Sequence, residues 1–299
     1  MKITELLAHA AERGEPVFSF EFFPPKTDAG VESLFESIRA LRPLAPSFVS
    51  VTWGAGGNVG GRSQEILARI ARESELTAMA HLTCAGVSVD ELRATLSSFR
   101  AANIKNVLLL RGDPPRGVRE FTPHAHGLAH ASDLIQLARE GDGAPLCIGG
   151  ACYPEGHIES KDPLDDLRHL KAKVDAGAQF LITQLFFDNR CYFDFVGRAR
   201  AAGITVPILP GIMPITNVDQ VERFTALCGA SVPPKLAAAM RVRRSDPEAA
   251  LQLGVAWATL QCADLLRRGA PGIHFYTLNR SPSSRAILAA LRAMEPWRG

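Results

Sequence analysis

Val17-Phe18-Ser19-Phe20-Glu21-Phe22-Phe23-Pro24-Pro25 reads as a short strand with a carboxylate inside it. Valine and phenylalanine favour extended backbone, and the two prolines, with fixed φ and no N–H, stop the strand at once. An ionised Glu21 among aromatic rings loses hydration that it cannot easily replace. Burial is therefore expected to push its carboxyl up, toward the range useful for general acid–base work. Taken alone, Glu21 reads equally as a strand-end carboxylate paired with an arginine or wetted by solvent.

Working outward, the apolar run recurs. Strand-like stretches are expected at 17–22, 47–53, 77–82, 106–110, 146–151, 180–186, 206–210 and 273–278. Each is rich in Val, Ile, Leu or Phe without clear alternation, the pattern of parallel strands buried on both faces. Amphipathic segments lie between them, for example 32–41, 64–73, 89–101 and 164–176. Eight βα units in a chain of 299 residues match the count and length of a (β/α)8 TIM barrel. A doubly wound open sheet would carry a GxGxxG turn after its first strand. The Gly-rich loop here, 54–61, follows the second strand with different spacing. An extra N-terminal helix is expected over 3–13, and further helices at 234–240 and 247–267. With no long Gly/Ser linker, residues 1–299 read as a single catalytic TIM-barrel domain.

Composition narrows the function classes. The chain is 46% apolar and 21% charged, ordinary for a soluble protein. A formal charge of +2 gives no electrostatic reason to expect nucleic acid or an anionic membrane as partner. Neither a signal peptide nor an apolar run of membrane-spanning length is apparent. The six cysteines form no CxxC pair, and most, in apolar surroundings, read as buried thiols of a reducing, cytoplasmic setting.

A barrel of this class builds its site at the C-terminal ends of the strands. Those ends carry Glu21, then Thr52 and Trp53, then His81 and Thr83. Next come Arg111-Gly112-Asp113, Tyr153 with His157, Gln184, and finally Tyr276 with Arg280. Each has a structural reading: a core histidine, an Arg–Asp pair around a tight glycine turn, a packed tyrosine. Jointly they suit a flat, polar-edged organic ligand, its faces covered by aromatics and its edge bonded by Gln, Asp and Thr. His124, His126 and His130 are spaced HxHxxxH but lack a carboxylate companion, so no metal is assigned. Neither a GxSxG elbow, a Walker A loop nor an HExxH helix is present, and Lys105 precedes its strand, on the wrong side for a Schiff base.

These elements together resemble the methylenetetrahydrofolate reductase family: SFEFFPP (19–25), SVTWGAGG (50–57), AHLTC (80–84), LLRGDPP (109–115), YPEGH (153–157), DAGAQFLITQLFFD (175–188), PGIMP (210–214) and HFYTLNR (274–280). The match runs in order along nearly the whole chain, and the length resembles the compact bacterial form. The resemblance implies a TIM barrel holding non-covalent FAD at its C-terminal rim. NADH or NADPH would give hydride to the flavin, and 5,10-methylenetetrahydrofolate would then take it on the same face. It also implies a homo-oligomer. Glu21 would be the general acid of the folate half-reaction, and Asp113 would meet the pterin edge and tune the flavin. Thr52, Trp53, His81, Arg111, Gly112, Asp113, His130, Ala131, Tyr153, His157, Asp166, His169 and Lys173 would hold FAD. Asp113, Gln184, Gln220, Phe224, Tyr276 and Arg280 would bind substrate.

This chain departs from the family pattern in three places. His130 stands where the family has a tyrosine, His169 where an asparagine is familiar, and Ala172 where a basic residue precedes Lys173. All three belong to the adenosine–phosphate end of the expected FAD site. A folate-dependent one-carbon or methyl transferase on the same barrel is the alternative function. A catalytically silent binding barrel is disfavoured by the presence of both Glu21 and Asp113.

Overall fold

The computed structural model describes residues 1–53, 60–74, 76–114, 121–141, 143–279 and 281–298. Its strands are β1 (Val17–Phe22), β2 (Phe48–Val51), β3 (Thr77–Thr83), β4 (Asn106–Leu110), β5 (Cys147–Cys152), β6 (Phe180–Thr183), β7 (Ile208–Leu209), β8 (Gly211–Ile212) and β9 (Gly272–Tyr276). All pair in parallel, in the order β7-β6-β5-β4-β3-β2-β1-β9-β8.

The two ends of that order are neighbours in the chain. Only Pro210 separates β7, which pairs with β6, from β8, which pairs with β9. The expected strand at 206–210 is thus one strand broken at a proline that has no N–H to offer a ladder. Its carbonyl still accepts the His274 N–H at 2.9 Å. The next amide, Gly211 N–H, donates to the Thr183 hydroxyl at 2.9 Å instead of to a backbone carbonyl. That exchange closes the sheet into a (β/α)8-type barrel.

Helices α1 (Ile3–Glu12), α2 (Asp28–Leu41), α3 (Gly60–Glu73), α4 (Val89–Ala101), α5 (Ala131–Glu140), α6 (Pro163–Ala176), α7 (Asn189–Ala201), α8 (Val218–Cys228), α9 (Pro234–Val242), α10 (Pro247–Arg267) and α11 (Ser281–Met294) complete the alternation. Several begin at side-chain caps. Ser88 and Glu91 form a capping box on α4, and the Asp162 carboxylate accepts two N–H groups of α6, with Pro163 at its first position.

The β1 run, uniform in sequence, has two faces. Phe18, Phe20 and Phe22 bury in the shell between strands and helices. Full burial of one such ring contributes about 1.5–3 kcal/mol. Val17 joins a second cluster with Phe48, Met79, Leu108 and Phe180 inside the barrel, and α1 covers that cluster with Ile3, Leu7 and Ala10. Asn106 fixes this floor: its Oδ1 accepts the Ile3 N–H at 2.8 Å, and its amide donates to Met1 O at 3.2 Å and Ala78 O at 3.1 Å. The strand expected over 180–186 stops at Thr183, because Leu185 and Phe187 turn into a third cluster with Met213, Ile215 and Leu236.

One expectation about membranes needs correcting. Helix α10, 21 residues long with a mean hydropathy of 1.2, is long and apolar enough to cross a bilayer. Here it lies on the barrel, burying Ala250, Gly254, Ala258, Cys262, Leu265 and Leu266. Gly254 permits this: a Cβ there would lie 1.8 Å from the Ile215 carbonyl oxygen.

Candidate active site

Glu21 is buried at the C-terminal end of β1 and is met by two histidines. His274 Nε2, from β9, lies 3.3 Å from Glu21 Oε2, and His81 Nε2, from β3, lies 3.6 Å from the same oxygen. Strand register explains the meeting. Glu21 pairs with Tyr276 on one side and Ser50 on the other, so side chains two residues down β9 share its inward parity. The Thr277 hydroxyl donates to the Glu21 carbonyl at 2.6 Å and anchors the end of the strand.

The electrostatics correct the first expectation for Glu21. Burial does raise its pKa and is the largest single influence. The charge interaction with His81 and the hydrogen bond and charge of His274 together outweigh it, so the carboxyl lies below its ordinary value. His81 moves the other way: burial, only partly opposed by Glu21, brings its imidazole down to about 4. The site therefore rests with an ionised carboxylate beside a neutral His81.

Around this centre the rim residues form a cradle. Gly112 has φ +89, and a Cβ there would sit 2.9 Å from Ala85 Cβ and 3.0 Å from Thr83 Cβ, so this turn requires glycine. It carries Arg111 and the exposed Asp113. Arg111 is already engaged: its Nη1 and Nη2 donate to Glu159 at 2.6 and 2.9 Å, and its guanidinium lies 4.5 Å over the Phe121 ring. The Tyr153 ring meets His157 edge-on at 4.7 Å, with the Lys173 amine 5.6 Å above it. Lys173 also donates to Ala151 O at 2.9 Å, and burial draws its pKa down. Asp166 accepts from the Ser160 hydroxyl at 3.3 Å. His130, at the N-cap of α5 before the buried Ala131, faces His169 at 5.5 Å, and His169 reaches Asp165 at 4.0 Å.

This donor set fits FAD. His81 Nε2 and Ser50 Oγ are buried without a hydrogen-bond partner, aimed into the same interior as Glu21. Arg111, Lys173 and the two facing imidazoles supply cationic and donor groups of the kind a diphosphate takes. Among the described residues, no group of three or more His, Cys, Asp or Glu could hold a metal ion.

Other expected residues fall elsewhere or at the margin. Thr52 is half-buried at the rim, its carbonyl accepting from Ser63. Trp53 turns its ring onto Phe99 of α4 at 5.7 Å, toward the helix shell. Gln184 folds its own Oε1 back onto the Leu185 N–H at 2.8 Å. Gln220 and Phe224 stand one turn apart on α8, and Phe224 packs with Tyr276 on the third cluster. The Tyr276 hydroxyl donates to Thr183 O at 2.6 Å. Arg280 lies outside the described residues, as do 54–59 of the Gly-rich loop and Pro115. Sequence reasoning missed Ser19, His274 and Glu159. Ser19 and Glu21 share a parity visible in the sequence; His274 needs the β1–β9 register, and Glu159 has no local signal.

The sequence profile described as methylenetetrahydrofolate reductase matches residues 6–292. The chain belongs to the methylenetetrahydrofolate reductase family. Within that family, a 5,10-methylenetetrahydrofolate reductase of Escherichia coli (strain K12) is 39% identical over 282 residues, covering 94% of this chain and 93% of the relative. A probable methylenetetrahydrofolate reductase (NADH) of Oryza sativa subsp. japonica is 39% identical over 315 residues, covering all of this chain. The chain spans 53% of that plant relative's length. Among solved structures, an uncharacterized protein from Clostridium thermocellum, described as binding two copies of 5-methyl-5,6,7,8-tetrahydrofolic acid, aligns with a TM-score of 0.67. At 17% identity, covering 97% of this chain and 99% of that one, it shares the fold.

Proposed function

We propose that residues 1–299 act as a single catalytic domain that reduces 5,10-methylenetetrahydrofolate to 5-methyltetrahydrofolate, with FAD as cofactor and NADH or NADPH as hydride donor. The observation that carries this reading is the buried Glu21 at the rim, opposite a cradle of Arg111, Gly112, Tyr153 and Lys173, in a chain of this family. The rice relative is named for NADH, which favours NADH as the donor.

When bound, FAD supplies the centre that accepts hydride from the nicotinamide and gives it to the folate. The chain's residues do the rest. Arg111 and Lys173 neutralise the diphosphate, with His130, Ala131, Asp166 and His169 at the adenosine end. Thr52, His81, Tyr153 and His157 would line the cofactor's remaining length, with Trp53 reaching it by backbone alone because its ring packs on Phe99. Glu21, ionised at rest, takes up a proton from solvent and gives it to the folate nitrogen that leaves the methylene carbon, opening the five-membered ring to an iminium. Asp113 bonds the pterin edge, and Gln184, Gln220, Phe224, Tyr276 and Arg280 receive nicotinamide and folate in turn, a ping-pong order. The same reading makes the protein a cytoplasmic homo-oligomer.

An anaerobic titration tests it. The purified protein should carry a flavin spectrum that bleaches with NADH and recovers when methylenetetrahydrofolate is added. A colourless protein that binds no added FAD and oxidises no NADH would refute the proposal. Folate binding and methyl transfer from such a protein would favour the transferase instead.

A further inference from the structure

Glu21 is the outer end of a buried chain of side chains. Ser19 Oγ lies 2.8 Å from His274 Nδ1, and His274 Nε2 lies 3.3 Å from Glu21 Oε2. Ser19 and His274 are fully buried. The imidazole is held in place by Phe48, stacked at 6.2 Å, and by Tyr276, edge-on at 5.3 Å. Ser, His and Glu at these spacings are also the residue types of a hydrolase triad. Here the serine is the innermost member and the carboxylate the one nearest the rim, so the order of action is reversed.

The groups facing Glu21 from the neighbouring strands are His81 on β3, Ser50 on β2, and His274 and Tyr276 on β9. Both histidines make their nearest approach to one oxygen, Oε2. An ionised Glu21 can only accept, so the His274 Nε2 that meets Oε2 carries the ring proton, and in the neutral imidazole Nδ1 then accepts from the Ser19 hydroxyl. That N–H then points at Oε2 whether Glu21 is protonated or ionised, and the bond strengthens when charge appears on the carboxylate.

We propose that Ser19 and His274 are a positioning pair for Glu21: Ser19 fixes the Nε2–H tautomer of His274, and His274 holds Oε2 so that Glu21 releases its proton from Oε1. The proposal rests on the reductase reading. The resting carboxylate takes up a proton from solvent on Oε1, and that proton passes to the folate nitrogen whose bond to the methylene carbon breaks. The electron pair of that bond stays on the nitrogen, and the carboxylate left behind is stabilised by the Nε2–H. His274 keeps its own proton throughout.

Two measurements test the pair. Imidazole nitrogen NMR of the purified protein should find His274 as the Nε2–H tautomer near neutral pH, and Ser19→Ala should convert it to a mixture. In half-reaction kinetics, His274→Asn removes the donor at the Nε2 position. It should slow flavin reoxidation by methylenetetrahydrofolate about a hundredfold more than flavin reduction by NADH. The descending limb of the folate pH profile should move to higher pH, because the lost hydrogen bond favoured the ionised carboxyl. His274→Gln, whose amide reaches toward the Nε2 position, should restore part of the rate. An Nδ1–H tautomer, a tautomer unchanged in Ser19→Ala, or a His274→Asn protein slowed equally in both half-reactions with an unmoved pH limb overturns the proposal. A parent protein without flavin or NADH oxidation counts against the reductase reading alone, since the tautomer is measured independently of turnover.

Discussion

Arg111 and Glu159 face each other as a two-pronged ion pair, Nη1 to Oε2 at 2.6 Å and Nη2 to Oε1 at 2.9 Å, joining the loop after β4 to the loop after β5. The guanidinium expected to meet a cofactor diphosphate is thereby aimed by a carboxylate. Glu159→Gln should weaken FAD binding about tenfold, a change of about 1.4 kcal/mol. The pair is partly solvated, with Arg111 22% and Glu159 36% exposed at the side chain. Global stability should therefore fall by less than about 1 kcal/mol. Fluorescence titration of flavin-free protein with FAD checks this. Tighter binding would mean that Glu159 competes with the phosphates for Arg111.

The turn beside that pair gives a second test. Gly112→Ala forces an L side chain to φ +89 and into Ala85 and Thr83. It should lower stability by about 1–3 kcal/mol. It should also displace Asp113 and Arg111, so a melting curve and a FAD titration should shift together. An unchanged FAD affinity would argue that the turn is structural only.

Replacing the buried carboxylate separates the two half-reactions. Glu21→Gln should lower the rate of folate reduction by about 10²–10⁴-fold. Flavin reduction by NADH should lose far less. Because Glu21 is held below its ordinary value, folate reduction in the parent should also quicken toward acid pH. Stopped-flow measurement of each half-reaction decides, and an equal loss in both would remove Glu21 from the proton-donor role.

Acid stability should report on His81. Its imidazole titrates at about 4 in the fold against 6.5 when free. Between those values the unfolded chain takes up a proton that the folded chain refuses. Stability is therefore fully present above pH 6.5 and falls on acidification toward pH 4, by up to about 3 kcal/mol. Glu21 adds a loss of the same sign below its ordinary 4.5. Denaturant melts across that range should be steeper in pH for the parent than for His81→Asn. Parallel slopes would contradict the assignment.

Barrel closure depends on Thr183, whose hydroxyl accepts the buried Gly211 N–H. Thr183→Val keeps the shape and removes the acceptor, leaving an unpaired amide at the seam. The expected loss is about 1–3 kcal/mol by denaturant melt. A neutral result would mean that the seam relaxes onto another acceptor.

Much of this was legible in the residues. The apolar runs marked the barrel strands, because two-sided burial writes itself into every position of a parallel strand. Glu21, His81 and the Arg111–Gly112 turn were visible as polar groups at strand ends. The rest depended on distance along the chain. His274 meets Glu21 across 253 residues, through a register that no local pattern encodes. Glu159 sits in a loop where any acidic residue looks solvated. The same distance hid the pKa direction of Glu21: its aromatic neighbours are local and predict a rise, whereas the histidines that reverse it arrive from other strands.

Asn106, by gripping Met1 O and the Ile3 N–H, seals the lower end of the barrel beneath the histidine cluster. Among the described residues, that packed floor leaves the rim as the side from which Glu21 is approached, so two visitors to that depth would have to queue. On the proposed reaction, alternation of nicotinamide and folate would then be enforced by the architecture before any residue at the rim distinguishes one from the other.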